Sequence, residues 1–363
     1  MTATVRAQRP RPAGKDYGYT NARIRGMRSR LLKKPFLDDL MRCADLSGVI
    51  QKLMETEYAP DLEERLLHGR TANQVDLALR DNMVRTYRKV HDLANDEGRE
   101  LLAVLLGRWD LFNVKTVVRG KHHSLSPEEI LDSVMPVGQM SRVDLEELSR
   151  QDSVKAVADT LATWRLPFAE PLNAVMPKYN ETHNLSLLEL ALDRYYTDWA
   201  TSRLKGRGVN KDLVKRFIGA QVDTINLVTA IRLLYADLGD QDPMSFFLPG
   251  GTVVDEALFR DLVSKSDVDE VYERLKHTPY GRSVEAVAIK YVETGSVSVF
   301  ERALEDYLTK QAFSMGRGDP LGAGVMVSYL WMKANEVTNL RIIVKGVSVG
   351  MPVGRMEEEL IVV

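Results

Sequence analysis

The residues of this chain best spaced for concerted polar work form three sets. They are Asp110, Asn113 and Arg119; Asp223, Asn226 and Arg232; and Glu336, Asn339 and Lys345. In each set the Asn follows the acid by three residues, the base follows the Asn by six, and the sets recur every 113 residues. On a helix the acid and the Asn share one face, and the base lies off it. A carboxylate accepts hydrogen bonds and a carboxamide both donates and accepts. Such a pair can tie a loop or cap a helix, or line an opening, or bind a neighbouring copy. Catalysis rarely needs three similar copies of one polar pattern, so the pattern points to a structural or coupling part.

Other candidate chemistry is weaker. His122 and His123 are adjacent, and side chains at i and i+1 of a helix diverge by about 100°, which disfavours one shared metal ion. No Cys or carboxylate joins them at ligand spacing, and they read as surface-loop histidines. The segment Gly316-Arg-Gly-Asp-Pro-Leu-Gly-Ala-Gly324 lacks both a preceding strand and the Gly-Lys-Ser/Thr of a phosphate loop. It reads as a flexible connector. No cofactor, metal or catalytic site is expected.

The elements that would position these residues are helical. In Val154, Val157, Ala158 and Leu161 the apolar residues fall on one helix face, and Val268, Val271, Tyr272 and Leu275 repeat the pattern. Ser126-Pro127-Glu128-Glu129 reads as a helix start with its cap, and Asn210 as the cap of another. Gly295-Ser-Val-Ser-Val is the best strand candidate and is short. The chain is therefore expected to be all-α. The repeat reaches beyond the polar sets: Leu77-Ala-Leu, Leu190-Ala-Leu and Arg302-Ala-Leu precede them, and Pro136-Val-Gly138 answers Pro249-Gly-Gly251. Leu40 and Asp45-Leu-Ser-Gly-Val-Ile-Gln-Lys-Leu53 look like an N-terminal copy of the Val157 and Val271 element. A period of 113 exceeds the ~20–50 residues of ordinary solenoids, so each copy should be a small helical domain. The divisions read as 1–15, a basic extension expected to be disordered, then 16–123, 124–235 and 236–363.

At 363 residues, with 49 Lys and Arg against 51 Asp and Glu, the chain is nearly neutral and lacks the basic excess of a nucleic-acid binder. Residues 1–35 differ, with ten basic residues against Asp16 alone. Arg23, Arg25, Arg28 and Arg30 are candidates for contact with an acidic partner or anionic lipid head groups. The single Cys43 cannot form an internal disulfide and suggests a reducing compartment. No secretory signal and no membrane span is read. A cytoplasmic protein is expected.

Three segments carry a family resemblance. Asp16-Tyr-Gly-Tyr-Thr-Asn-Ala-Arg-Ile-Arg25 opens the chain; Asp110-Leu-Phe-Asn-Val-Lys-Thr-Val-Val-Arg-Gly120 lies inside it, followed by Pro127-Glu-Glu-Ile; and Asn335-Glu-Val-Thr-Asn-Leu-Arg341 leads to Lys345-Gly and Gly350-Met-Pro352 near its end. Together they resemble the C subunit of the V-type/A-type rotary ATPases, the counterpart of the d subunit in eukaryotic vacuolar ATPases. The resemblance covers residues 16–363. It implies a non-catalytic, funnel-shaped protein of three similar helical domains in pseudo-three-fold arrangement around a central opening. It implies as partners the central shaft subunits and the membrane proteolipid ring, with this chain peripheral on the cytoplasmic face. The three polar sets would then lie near the funnel's interior or its interdomain seams. A helical-repeat adaptor for soluble partners is the alternative, and an enzyme with a site near His122 and His123 the remaining one.

Overall fold

A computed structural model describes residues 16–236, 238, 239 and 241–362. The basic extension read at residues 1–15 lies outside them. Helices α1 (Gly18–Arg28), α2 (Lys34–Met41), α3 (Leu46–Leu53), α4 (Ala59–Leu66) and α5 (Ala72–Leu93) lead into the long α6 (Asp96–His122). Then follow α7 (Pro127–Leu131), α8 (Arg142–Ser149), α9 (Val154–Thr163), α10 (Ala169–Thr182), α11 (Leu185–Arg203) and the long α12 (Val209–Leu233). After a 3₁₀ turn at Pro243–Phe246 come α13 (Glu256–Val263), α14 (Val268–Leu275), α15 (Gly281–Thr294), α16 (Ser298–Met315), the long α17 (Gly324–Ser348) and α18 (Val353–Glu359). No strand occurs among the described residues, so the protein is all-α.

Local chemistry sets the helix starts. Ser126 and Ser141 each form a capping box, with Glu129 and Asp144 returning to the cap backbone. Asp45, Ser153 and Asp267 cap α3, α9 and α14 with the same φ of −154°, and each accepts from the backbone N–H three residues on. That shared geometry makes α3 the counterpart of α9 and α14. Two sequence expectations need correction. Asn210 is not a cap: α12 already begins at Val209 after Gly208, so Asn210 sits in the first turn. Gly295-Ser-Val-Ser-Val forms no strand, because Gly295 takes a φ of +64° to end α15 and α16 starts at Ser298.

The chain divides into two compact units. One combines the described residues up to Leu102 with Met315–Glu359, so both ends of the chain contribute to it. Within it α17 packs against α1, α2, α3 and α5, and α4 lies against α5. Its core includes Ile24, Leu40, Val49, Leu53, Leu62, Val75, Leu79, Leu340 and Ile343, all fully buried. The other unit runs from Ala103 to Ser314 and takes in the chain from Leu360 on. It holds two separate apolar clusters. The first joins Val114, Val117 and Val118 of α6 to residues of α8–α11, and the second joins Leu227, Ala230 and Ile231 of α12 to residues of α13–α16.

Candidate functional site

The polar sets resolve into buried nodes on the three long helices. Asn113 of α6 exchanges two hydrogen bonds with Met135: its Nδ2 donates to the Met135 carbonyl at 2.7 Å, and the Met135 amide donates to its Oδ1 at 2.7 Å. Asn226 of α12 does the same with Leu248, at 2.8 and 3.0 Å. One turn earlier Asp110 accepts from the amides of Gln139 at 2.8 Å and Met140 at 3.1 Å. Asp223 accepts from the amides of Thr252, Val253 and Val254, from the Thr252 hydroxyl at 2.7 Å and from the Tyr280 hydroxyl at 2.9 Å. In these two copies the acid–Asn pair thus anchors a loop that follows the next short helix or 3₁₀ turn, and satisfies backbone groups that burial would otherwise strand.

The repeated glycines follow from this. An added Cβ at Gly138 would sit 2.2 Å from Asp110 Oδ1, and one at Gly251 the same distance from Asp223 Oδ1. No side chain fits between loop and carboxylate.

The third node takes its partners from the far end of the chain. Glu336 of α17 accepts from the Leu32 amide, from the Tyr58 hydroxyl at 2.6 Å and from Lys333 Nζ at 2.9 Å. The segment between α1 and α2 therefore does for α17 what the loops at 135–140 and 248–254 do for α6 and α12. Tyr58, Phe168 and Tyr280 each immediately precede the equivalent helices α4, α10 and α15. Where a tyrosine stands, it donates to the node's acid; Phe168 has no hydroxyl to give. Asp110 therefore keeps only two backbone donors, and burial raises its pKa against the lowering effect of those two amides. Asn339 is likewise buried.

The bases lie apart from the nodes. Arg119 pairs with Glu189 and Arg232 with Glu301, on exposed helix surfaces, and Lys345 is exposed. In the third copy the matching acid, Asp76, pairs with Arg341, one turn before Lys345. The N-terminal basic residues divide by role. Arg23 is exposed, Arg25 donates to the Pro320 carbonyl at 3.1 Å, Arg28 is half-buried, and Arg30 pairs with Glu57 at 3.0 Å.

Sequence reading missed Tyr58, Tyr280, Thr252 and Lys333. The alignment of Tyr58 with Tyr280 was available, because both follow capped helices that repeat. His122 is the last residue of α6 rather than a loop residue; its Nδ1 lies 2.8 Å from the Tyr179 hydroxyl, and its ring meets that of His123 edge-on at 4.8 Å. Among the described residues no group of three His, Cys, Asp or Glu could hold a metal ion, and no helix is long and apolar enough to cross a membrane.

Comparison with known proteins brings a consistent result. The family model described as ATP synthase (C/AC39) subunit matches residues 20–359. The A-type ATP synthase C subunit of Methanobrevibacter smithii is 31% identical over 94% of this chain and 87% of its own length. That of Methanocaldococcus jannaschii is 26% identical over 91% of this chain and 82% of its own. The V-type ATP synthase C subunit of Deinococcus radiodurans is 28% identical over 95% of this chain and 91% of its own.

Proposed function

We propose that this chain, which belongs to the ATP synthase (C/AC39) subunit family, is the part of a V/A-type rotary ATPase that joins the rotating shaft to the membrane proteolipid ring. It is the C subunit of an A/V-type ATP synthase and a non-catalytic member of its complex. In this role it carries torque between ATP turnover and the movement of protons or sodium ions, from the cytoplasmic face of the membrane.

The observation that carries the reading is the repeated node. A torque-bearing link needs a rigid frame, not a reactive group. Three buried acid–Asn pairs that hold loops or segments to long helices provide stiffness at equivalent places in the chain. We propose that three copies of the unit, built on α6, α12 and α17, surround a central opening in a funnel. The nodes would brace the walls. The exposed side of each long helix would meet the shaft: Phe112 and Arg119 on α6, Ile225 and Arg232 on α12, Thr338 and Lys345 on α17. Members of each pair are seven residues apart, hence on one helix face, and all six are exposed. The exposed Arg23, Arg25 and Arg30, with Arg28, are the proposed contacts to partners or lipid head groups.

The test is reconstitution of the complex in vesicles with and without this chain. With it, ATP hydrolysis should drive ion uptake; without it, hydrolysis by the head should continue while uptake is lost. Undiminished uptake without the chain would refute the reading. Retention of the chain only by soluble proteins would favour a helical-repeat adaptor.

A further inference from the structure

The copy closed by both chain ends carries a polar cavity beside its node, with a volume of about 50 Å³. This is several times the ~10–15 Å³ that one water needs. Two helix faces converge on it: Asn82 and Lys89 on α5, and Tyr329, Lys333 and Glu336 on α17. Arg30 closes the rim beside the segment between α1 and α2.

Part of the hydrogen-bonding capacity around this cavity is unspent. Lys333 is 4% exposed. Two of its three donors go to the Tyr58 hydroxyl at 2.8 Å and to Glu336 at 2.9 Å, and its ammonium also lies 4.1 Å from the Tyr58 ring centre. Asn82 is 2% exposed. Its Nδ2 donates to the Glu57 carbonyl and to Asp61, but no group among the described residues donates to its Oδ1. Tyr329 is buried and also lines the cavity. The cavity therefore presents donors on Lys333, Tyr329, Arg30, Arg85 and Lys89, beside the Glu57 and Glu336 carboxylates that pair with Arg30 and Lys333, together with one buried acceptor, Asn82 Oδ1, that needs a donor.

The repeat supplies the control. Gly107 and Ala220 stand where the third copy has Lys333, and Tyr195 and Tyr307 stand where it has Asn82. Two copies build the same node without a buried lysine, so the fold does not require one. A buried ion pair is seldom kept for stability alone, because desolvating the two charges offsets most of their attraction.

We propose that this cavity is a binding site for a protonated phosphate group. Hydrogen phosphate matches the unspent groups on both sides. Its charged oxygens accept from Lys333, Tyr329 and the basic rim, and its P–OH donates to Asn82 Oδ1. Sulfate has the same size and charge but no proton to donate at neutral pH.

The experiment is a calorimetric titration of the full chain at pH 7 with inorganic phosphate, sulfate and glycerol 3-phosphate. Phosphate should bind one-to-one with a Kd of about 1 mM or tighter. Sulfate should bind roughly tenfold more weakly, since it leaves the Asn82 acceptor unpaired. Tyr329→Phe keeps the ring packing and should weaken phosphate about tenfold. Lys333→Met should abolish binding, with its helical content measured to confirm folding. Binding of glycerol 3-phosphate would extend the site to phosphate esters, and its exclusion would restrict it to the free ion. Absence of saturable phosphate binding, or binding that neither Tyr329→Phe nor sulfate replacement weakens, would overturn the assignment.

Discussion

The Tyr58 hydroxyl donates to the Glu336 carboxylate at 2.6 Å across 278 residues of chain. Its counterpart, Tyr280 to Asp223, spans 57. The same contact is thus local in one copy and joins the two ends of the chain in another. Tyr58→Phe should remove one hydrogen bond to a buried charged acceptor, costing about 1.5–3 kcal/mol. Hydrogen exchange should then quicken in α2–α5 and α17 while α8–α15 keep their protection. Faster exchange throughout, or none anywhere, would contradict a node that closes one unit.

The nodes differ in how many donors each acid serves, and alanine substitution should rank them. Asp110→Ala strands the Gln139 and Met140 amides, at about 1–3 kcal/mol for each group left unpaired. Asp223→Ala strands three amides and two hydroxyls and should cost more. Chemical denaturation of the two variants measures the order; an Asp110 variant less stable than the Asp223 variant would reverse it.

Gly251→Ala should fail by a different route. The new methyl would lie 2.2 Å from Asp223 Oδ1 and 2.8 Å from the Val254 carbonyl. The loop must move, at about 1–3 kcal/mol or more. Gly26→Ala meets nothing within 4 Å and lies within α1, where alanine is favoured by about 1 kcal/mol over glycine. It should be neutral or stabilising, and thermal melts of the pair separate the two effects.

Asp110 makes stability depend on pH in an unusual direction for an aspartate. Burial raises its folded-state pKa above the ordinary 3.8, so the folded protein holds that proton more tightly than the unfolded chain does. Its favourable contribution is complete below 3.8 and is lost as pH rises through the folded value. Asp110→Asn cannot titrate, so the stability advantage of wild type over this variant should shrink as pH rises from 3.8 through that range. An advantage that grows with pH would show that the two amide donors outweigh burial.

The repeat was legible because each node constrains residue type. At the first two nodes an aspartate reaches the loop amides, a carboxamide exchanges two bonds with one peptide unit, and only glycine fits at 138 and 251, while the third uses the longer Glu336. Those needs recur at one spacing, so Asp110, Asn113 and Gly138 can be found from Asp223, Asn226 and Gly251. The cap at Ser126 was equally readable, since a cap acts within three residues of itself, but the same local rule misplaced Asn210, which sits in the first turn of α12. What the spacing hid was closure of the third copy. Leu32, Tyr58 and Asp76 meet Glu336 and Arg341 only in space, and no local pattern ties one chain end to the other. Lys333 was invisible for the opposite reason: it has no counterpart in the other copies, and a lone lysine on a helix reads as solvated.

The most direct test of the proposed link is co-sedimentation of the full chain with the detergent-solubilised proteolipid ring and the shaft subunits from the same cell. The ring and shaft should sediment together when the chain is present and separate when it is left out. Association of ring and shaft without the chain, or a chain that remains in the supernatant, would contradict its role as the link between them.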